Sequence, residues 1–333
     1  QVNGVVTMLR AVIKELEDMG HEVMLIEPGQ FQTIPCPTYP QIRLSLWPFT
    51  HVRKTLETFK PDAIHIATEG PIGWALRYFC LYGNMKGTPF TTAFHSRFPE
   101  NMEERMGIPQ AGTYRFLRNF HSEAARTMVP TEMLRRELEA RGFKNLVVWT
   151  PGIDTTLFHP RSEAFLNDPR PLYLYVGRVV AEKNVAAFLD AAVEGTKYVV
   201  GDGPDRLSLA QEYPATVFVG EKYGEELARY YAAADVLVFP SKVETFGLVI
   251  LEANACGTPV AAYDVVGPKE VIQNGINGYS GPDLAEAMRA CLKIPRELPH
   301  SHVQHLSWRA SAEQFVANLA PLSEPAFDGA RHS

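Results

Sequence analysis

Cysteine is scarce in this chain. The four residues, Cys36, Cys80, Cys256 and Cys291, are scattered and form no CxxC pair. A disulfide framework or a metal site of the usual spacing is therefore not expected, and a reducing cytoplasm fits best. An excess of positive charge is also missing. With 32 Lys and Arg against 38 Asp and Glu, the net charge of -6 argues against a general nucleic-acid binder. No apolar run approaches the ~20 residues needed to span a bilayer, and no signal-peptide pattern is seen. A peripheral membrane contact needs only a surface patch and stays open. Neither a complete GxGxxG nor a GxxxxGK followed by Ser or Thr occurs, which disfavours a nicotinamide dinucleotide site and an ATPase-type phosphate loop. There is no internal sequence repeat.

What is present reads as parallel α/β architecture. The 333 residues, 46% hydrophobic and 21% charged, suffice for two ordinary globular domains. Val5, Leu9, Val12, Ile13, Leu16 and Met19 recur at helical spacing, with Gly20 as a stop. A buried strand, "EVMLIEP", is expected next. Because a helix leading into a parallel strand implies a strand before it, one is expected upstream of Gln1. Further expected strands are "AIHIAT", "FTTAFH", "RTMVP" and "LVVWTP", then "LYLYVG", "KYVVG", "VFVG", "VLVFP" and "PVAAY". Residues 152–171 are polar and proline-punctuated, as an interdomain linker would be. The expected domains are residues 1–155, binding the acceptor, and 156–305, binding the donor. A tail at 306–333 would carry one helix, crossing back to the first domain. The expected fold is two Rossmann-like domains facing across a cleft, with ligands beyond the carboxyl ends of the strands. The link in "NGINGYSGPDLAEAM" is short enough to suggest omitted residues.

In "LYLYVGRVVAEKN", Gly177 and Arg178 follow a strand directly and Lys183 lies five residues on. An Arg and a Lys at a strand end can converge on a diphosphate, the guanidinium chelating oxygens and the ammonium adding compact charge. A pair of solvated surface cations is the plainer alternative. The turn Gly201-Asp202-Gly203-Pro204 would let something approach the backbone closely. "ETFGLVILE" then sets Glu244 and Glu252 eight positions apart around an apolar run. Glu244 is expected in a loop, with Thr245-Phe246-Gly247 opening a helix whose first amides, those of Phe246, Gly247 and Leu248, can donate to an anion. Two carboxylates on one side of such a helix suit sugar hydroxyls. A capping Glu244 and a solvated Glu252 are the structural alternative, against which the apolar neighbours count.

The segment "SKVETFGLVILEANACGTPVAAYDVVGPKEVIQNGINGY" resembles the carboxyl-terminal signature of the family-4 glycosyltransferases, retaining enzymes of the GT-B fold. "GRVVAEKN" matches their Gly-Arg-(spacer)-Glu-Lys-Asn element, "VNGVVTMLRAVIKELEDMGHEV" their glycine loop and first helix, and "PGIDTTLFHP" their hinge. The likeness runs from Val2 to about Trp308. Within the family it most resembles bacterial enzymes that glycosylate membrane lipids such as diacylglycerol or phosphatidylinositol.

The resemblance implies a site residue by residue. Arg178 and Lys183 would hold the donor diphosphate and stabilise the departing nucleotide. Glu252 would bind ribose hydroxyls, Glu244 sugar hydroxyls, and the Phe246–Leu248 amides the diphosphate and sugar. Gly4 would let its loop close over the phosphates. His95, in "TTAFHSRFP", matches the histidine that contacts the donor sugar; a structural strand-end histidine is its alternative. His21, His51, His65 and His121 lack such context and read as structural or solvated. Retention through an oxocarbenium-like transition state is implied. No Asp-x-Asp motif occurs, so no metal or other cofactor is expected. The donor would be a UDP- or GDP-sugar and the acceptor a membrane lipid, met at the inner face of the cytoplasmic membrane. "GIPQAGTYRFLRNFH" mixes Arg115 and Arg118 with aromatics that would suit an anionic bilayer or, equally, a domain core; "LSLWPFTHVRK" invites the same reading. A nucleotide-sugar epimerase and a non-catalytic nucleotide-sugar sensor remain as rival functions.

Overall fold

The computed structural model describes residues 4–36, 42–162, 165–242, 246–265 and 267–322. The chain divides into two compact units, residues 1–150 with 311–333, and residues 151–310. Each is built on a parallel sheet flanked by helices, so the class is α/β, as the alternation of patterns predicts.

In the first unit the helix Gly4–Asp18 buries Met8, Val12 and Leu16, one residue per turn, and Gly20 follows with φ +86°. A short antiparallel pair comes next, β1 (Thr33–Pro35) with β2 (Arg43–Ser45). The main sheet has four parallel strands in sequential order: β3 (His65–Ile66), β4 (Thr91–Ala93), β5 (Arg126–Val129) and β6 (Leu146–Val148). One core gathers Val52, Leu56, Ile66, Phe79, Phe90 and Phe120; a second gathers Phe94, Tyr114, Leu117, Val129, Leu134 and Leu138.

One expectation needs correction here, and one open alternative is narrowed. Residues 22–28 do not form a strand: among the described residues the run has no sheet partner, and Met24 and Leu25 are largely exposed. An apolar run becomes a strand only where neighbours take its N–H and C=O groups, which its composition does not report. The helix Gln110–His121 turns Tyr114, Leu117 and Phe120 into the core, leaving Arg115, Phe116 and Arg118 outside. Its aromatics are mostly packing residues, and Arg118 donates to the carbonyl of Arg141 at 2.8 Å.

The C-terminal helix Trp308–Asn318 gives its residues from Ser311 onward to this first unit. Trp149 Nε1 donates to Ser311 O at 3.1 Å, Asn318 Nδ2 to Val148 O at 2.9 Å, and Arg126 to the carbonyls of Ala317 and Leu319. Phe315 packs against both Trp149 and His65, ring centroids 4.9 Å apart in each case.

The second unit holds six parallel strands: β7 (Leu172–Val176), β8 (Thr196–Val200), β9 (Val217–Gly220), β10 (Val236–Phe239), β11 (Val260–Tyr263) and β12 (Gly278–Gly281). Their order across the sheet is β12-β11-β10-β7-β8-β9. Alternation along each strand divides the core. Leu172, Leu174, Leu237, Phe239 and Val260 face one side; Tyr173, Tyr175, Val236, Val238 and Ala261 face the other. The segment 152–171 is no loose connector. Ile153 and Phe158 are buried, and Phe165 stacks edge-on to Tyr230 at 4.9 Å. The short link after β12 is closed by Pro282 and by Asp283, which caps the helix Leu284–Cys291 by accepting from Glu286 N at 3.0 Å.

Candidate functional site

Counted from β7, the second sheet reads 6-5-4-1-2-3, the doubly wound order whose direction reverses between its first and fourth strands. Those strands are β7 and β10. Connections leave them on opposite faces, so the loops at their carboxyl ends separate and leave room for a ligand. Arg178 and Lys183 follow β7; Phe246, Gly247 and Leu248 follow β10. Asn184, at φ +53°, joins the two loops by donating to Pro240 O at 3.1 Å.

Arg178 is held from both ends. Its carbonyl accepts from Tyr175 Oη at 2.7 Å, and its Nη2 pairs with Glu182 at 2.6 Å, one turn further along. A guanidinium has five N–H donors, so this pairing fixes the plane of the group and leaves further donors for an anion. Lys183 closes the short 3₁₀ turn Ala181–Lys183 and is half-buried. The Gly201–Pro204 turn does permit a close approach, by the protein's own backbone. A Cβ on Gly201 would lie 1.8 Å from Gly177 O, and one on Gly203 would lie 2.1 Å from Val179 O. Val179 N donates to Asp202 O at 2.9 Å across this contact, which carries the β7–β8 pairing past the strand ends.

The helix Leu248–Ala255 begins after Gly247, whose φ of +87° suits glycine. It starts later than the sequence suggests. Phe246 buries its side chain in the core, so its donor is its amide. Glu244 and Thr245 lie outside the described residues. Glu252, one turn into the helix, accepts from Tyr231 Oη through Oε2 at 2.6 Å. Burial raises its carboxyl above the usual carboxylate range, and the Tyr231 bond opposes that shift. The far end of the helix is fixed by buried amides. Asn254 donates to Thr258 O and Asn277 O, and Asn277 returns a bond to Asn254 Oδ1 at 2.9 Å.

Gly4 and His95 belong to the first unit. Gly4 is exposed at the start of its helix. His95 follows β4, its ring 5.9 Å from that of Trp149. Burial pulls its imidazole down to about 4, against the Glu69 carboxylate and aided by His121. It is therefore neutral at pH 7, able to share hydrogen bonds with a hydroxyl while adding no charge. Nearby, the buried His121 sits 3.1 Å from Glu69 Oε1 through Nε2 and 2.9 Å from Thr92 Oγ1 through Nδ1. A carboxylate accepts, so Nε2 carries a proton directed at Glu69. His65, bonded to Thr91 Oγ1 at 2.9 Å, is pulled to about 3 by burial and then by His95.

The structure thus brings Arg178, Lys183, Phe246, Gly247, Leu248 and Glu252 to the carboxyl ends of adjoining strands of one sheet. Sequence reasoning missed the partners Glu182, Asn184, Tyr231 and Glu69. The first two stand inside the quoted "AEKN". The others come from distant segments that no local spacing connects.

Two family models match this chain: Glycosyltransferase Family 4 over residues 2–157 and Glycosyl transferases group 1 over residues 160–301. A GDP-mannose-dependent alpha-mannosyltransferase of Mycobacterium tuberculosis is 31% identical over 300 residues, covering 82% of this chain and 78% of the relative. The alpha-monoglucosyldiacylglycerol synthase of Streptococcus pneumoniae is 26% identical over 363 residues, covering 95% and 81%. Among solved structures, the sucrose-phosphate synthase from Thermosynechococcus elongatus superposes with a TM-score of 0.75 at 23% identity, covering 95% of this chain and 92% of that one. Anabaena HepE in complex with UDP-glucose gives 0.68 at 17%, covering 95% and 96%. These superpositions identify the fold as GT-B.

Proposed function

The chain belongs to the glycosyltransferases of family 4 and group 1, and from that premise we propose that it moves a hexose from a nucleotide-sugar to the hydroxyl of a membrane lipid such as diacylglycerol. The carrying observation is the cationic pair Arg178 and Lys183 at the switch point of the second sheet, with Arg178 oriented by Glu182. GDP-mannose is the first donor to test, since relatives at 29–32% identity are named for it.

In this reading the diphosphate rests against Arg178, Lys183 and the amides of Phe246, Gly247 and Leu248. Glu252 takes the ribose, and Glu244 and His95 take sugar hydroxyls. The bond from the anomeric carbon to the diphosphate oxygen breaks while charge on the leaving group is stabilised by the cations. The acceptor oxygen bonds to the same face, and its proton passes to a phosphate oxygen, so configuration is retained without a metal. Support for a lipid acceptor comes from the diacylglycerol relative and from exposed aromatics on the first unit. Trp47 is 87% exposed, and the ring of Tyr78 lies 5.7 Å from Phe49, at the start of another helix, and 6.0 Å from Tyr82, one turn on.

A panel of UDP- and GDP-sugars, each alone and with diacylglycerol or phosphatidylinositol vesicles, tests this function. Sugar in the lipid phase with nucleoside diphosphate released supports transfer. A converted donor sugar without an acceptor indicates an epimerase, and binding without turnover a sensor. An inverted anomeric product, or activity abolished by EDTA, rejects the corresponding part of the mechanism.

A further inference from the structure

Tyr231 is a buried tyrosine that the reaction outlined above does not use. It lies on the helix Gly224–Ala233, with its side chain fully enclosed and its ring 5.8 Å from Phe158. Its backbone is pinned separately, because Thr258 Oγ1 donates to Tyr231 O at 2.6 Å. The hydroxyl is thus carried on a fixed support and, among the described residues, bonds to Glu252 Oε2 at 2.6 Å. Glu252 itself is half-buried and has three side-chain torsions that a solvent-facing glutamate would sample freely.

We propose that Tyr231 is the positioning residue for ribose recognition: its hydroxyl takes one carboxylate oxygen of Glu252 and thereby presents the other to the ribose hydroxyls of the donor. The inference rests on the assignment of Glu252 to the donor ribose. A carboxylate oxygen that accepts from vicinal hydroxyls must be held in place, and a bond from a rigid neighbour to the other oxygen restricts the torsions that would move it. The same bond satisfies the phenol O–H, which would otherwise be buried without an acceptor. Tyr231 touches no part of the substrate in this scheme and acts only through Glu252.

The test compares nucleotides with and without ribose hydroxyls. Calorimetric titrations of GDP and UDP, and of their 2′,3′-dideoxy counterparts, are made on wild type, Tyr231→Phe, Glu252→Ala and the double variant. Tyr231→Phe should weaken the ribonucleotide about tenfold, in keeping with a hydrogen bond to a charged group, and the dideoxy form less than twofold. In the Glu252→Ala background the same change should have no further effect, the signature of action through a single partner. Equal weakening of both nucleotide forms would assign Tyr231 a purely structural role, and no weakening of either would also overturn the proposal. Wild type that binds ribo- and dideoxy-forms equally would instead remove Glu252 from the ribose. Wild type that binds none of them would reject the donor reading itself.

Discussion

His65 and His95 are imidazoles that the first unit keeps neutral. Burial sets both, lowering them to about 3 and about 4 from an ordinary value near 6.5. The unfolded chain therefore binds protons at these positions through a range in which the native chain does not. The stabilisation they contribute is complete above pH ~6.5 and is lost as pH falls towards their folded values. Melting temperature should drop between pH 6.5 and 4.5, and His65→Gln, which retains a partner for Thr91, should flatten that slope. A slope unchanged by the substitution would show that other groups govern acid unfolding. The place of His95 just past a strand was legible in the sequence. The depth of its burial was not, because it depends on Trp149 and the packing beneath it.

Among the elements, the two glycines of "VVGDGPDRL" separate what sequence can report from what it cannot. Their presence announced a close approach, but only the fold identifies the approaching group as the Gly177–Val179 backbone. Gly201→Ala would drive a Cβ to 1.8 Å from Gly177 O at a φ of +145°, and should cost roughly 2–4 kcal/mol in urea unfolding. Gly112, inside the helix Gln110–His121, is the contrasting case. Nothing lies within 4 Å of its added Cβ, so Gly112→Ala should stabilise by about 0.5–1 kcal/mol. Equal effects at the two positions would contradict the packing described. Strands that read as short apolar and aromatic runs between turns, such as "LYLYV" and "VLVF", were readable because their pattern and their burial coincide. β12 was overlooked because "GYSG" has no strand-like composition; it forms because β11 offers it an open edge. "EVMLIEP" failed for the opposite reason, being apolar without a neighbour.

For the whole molecule, two α/β units were legible from alternation and length, and the switch point at β7 and β10 follows once strand order is known. Strand order itself rests on long-range pairing, which no local pattern encodes. The candidate site was readable where its residues crowd into "GRVVAEKN" and "FGLVILE", and unreadable where a partner such as Tyr231 arrives from another helix. No helix among the described residues is long and apolar enough to cross a membrane. Trp47→Ser with Tyr82→Ser should reduce flotation with anionic diacylglycerol vesicles severalfold while leaving nucleotide binding intact. Flotation unchanged by the pair would remove this patch from the account. The central claim is that Arg178 stabilises a departing nucleoside diphosphate, and steady-state transfer from GDP-mannose to diacylglycerol vesicles tests it most directly. Wild type should release GDP and glycosylate lipid one for one, and Arg178→Ala, with an unchanged melting curve, should lose about 100-fold or more in kcat/KM. No transfer by wild type, or a variant as active as wild type, would contradict it.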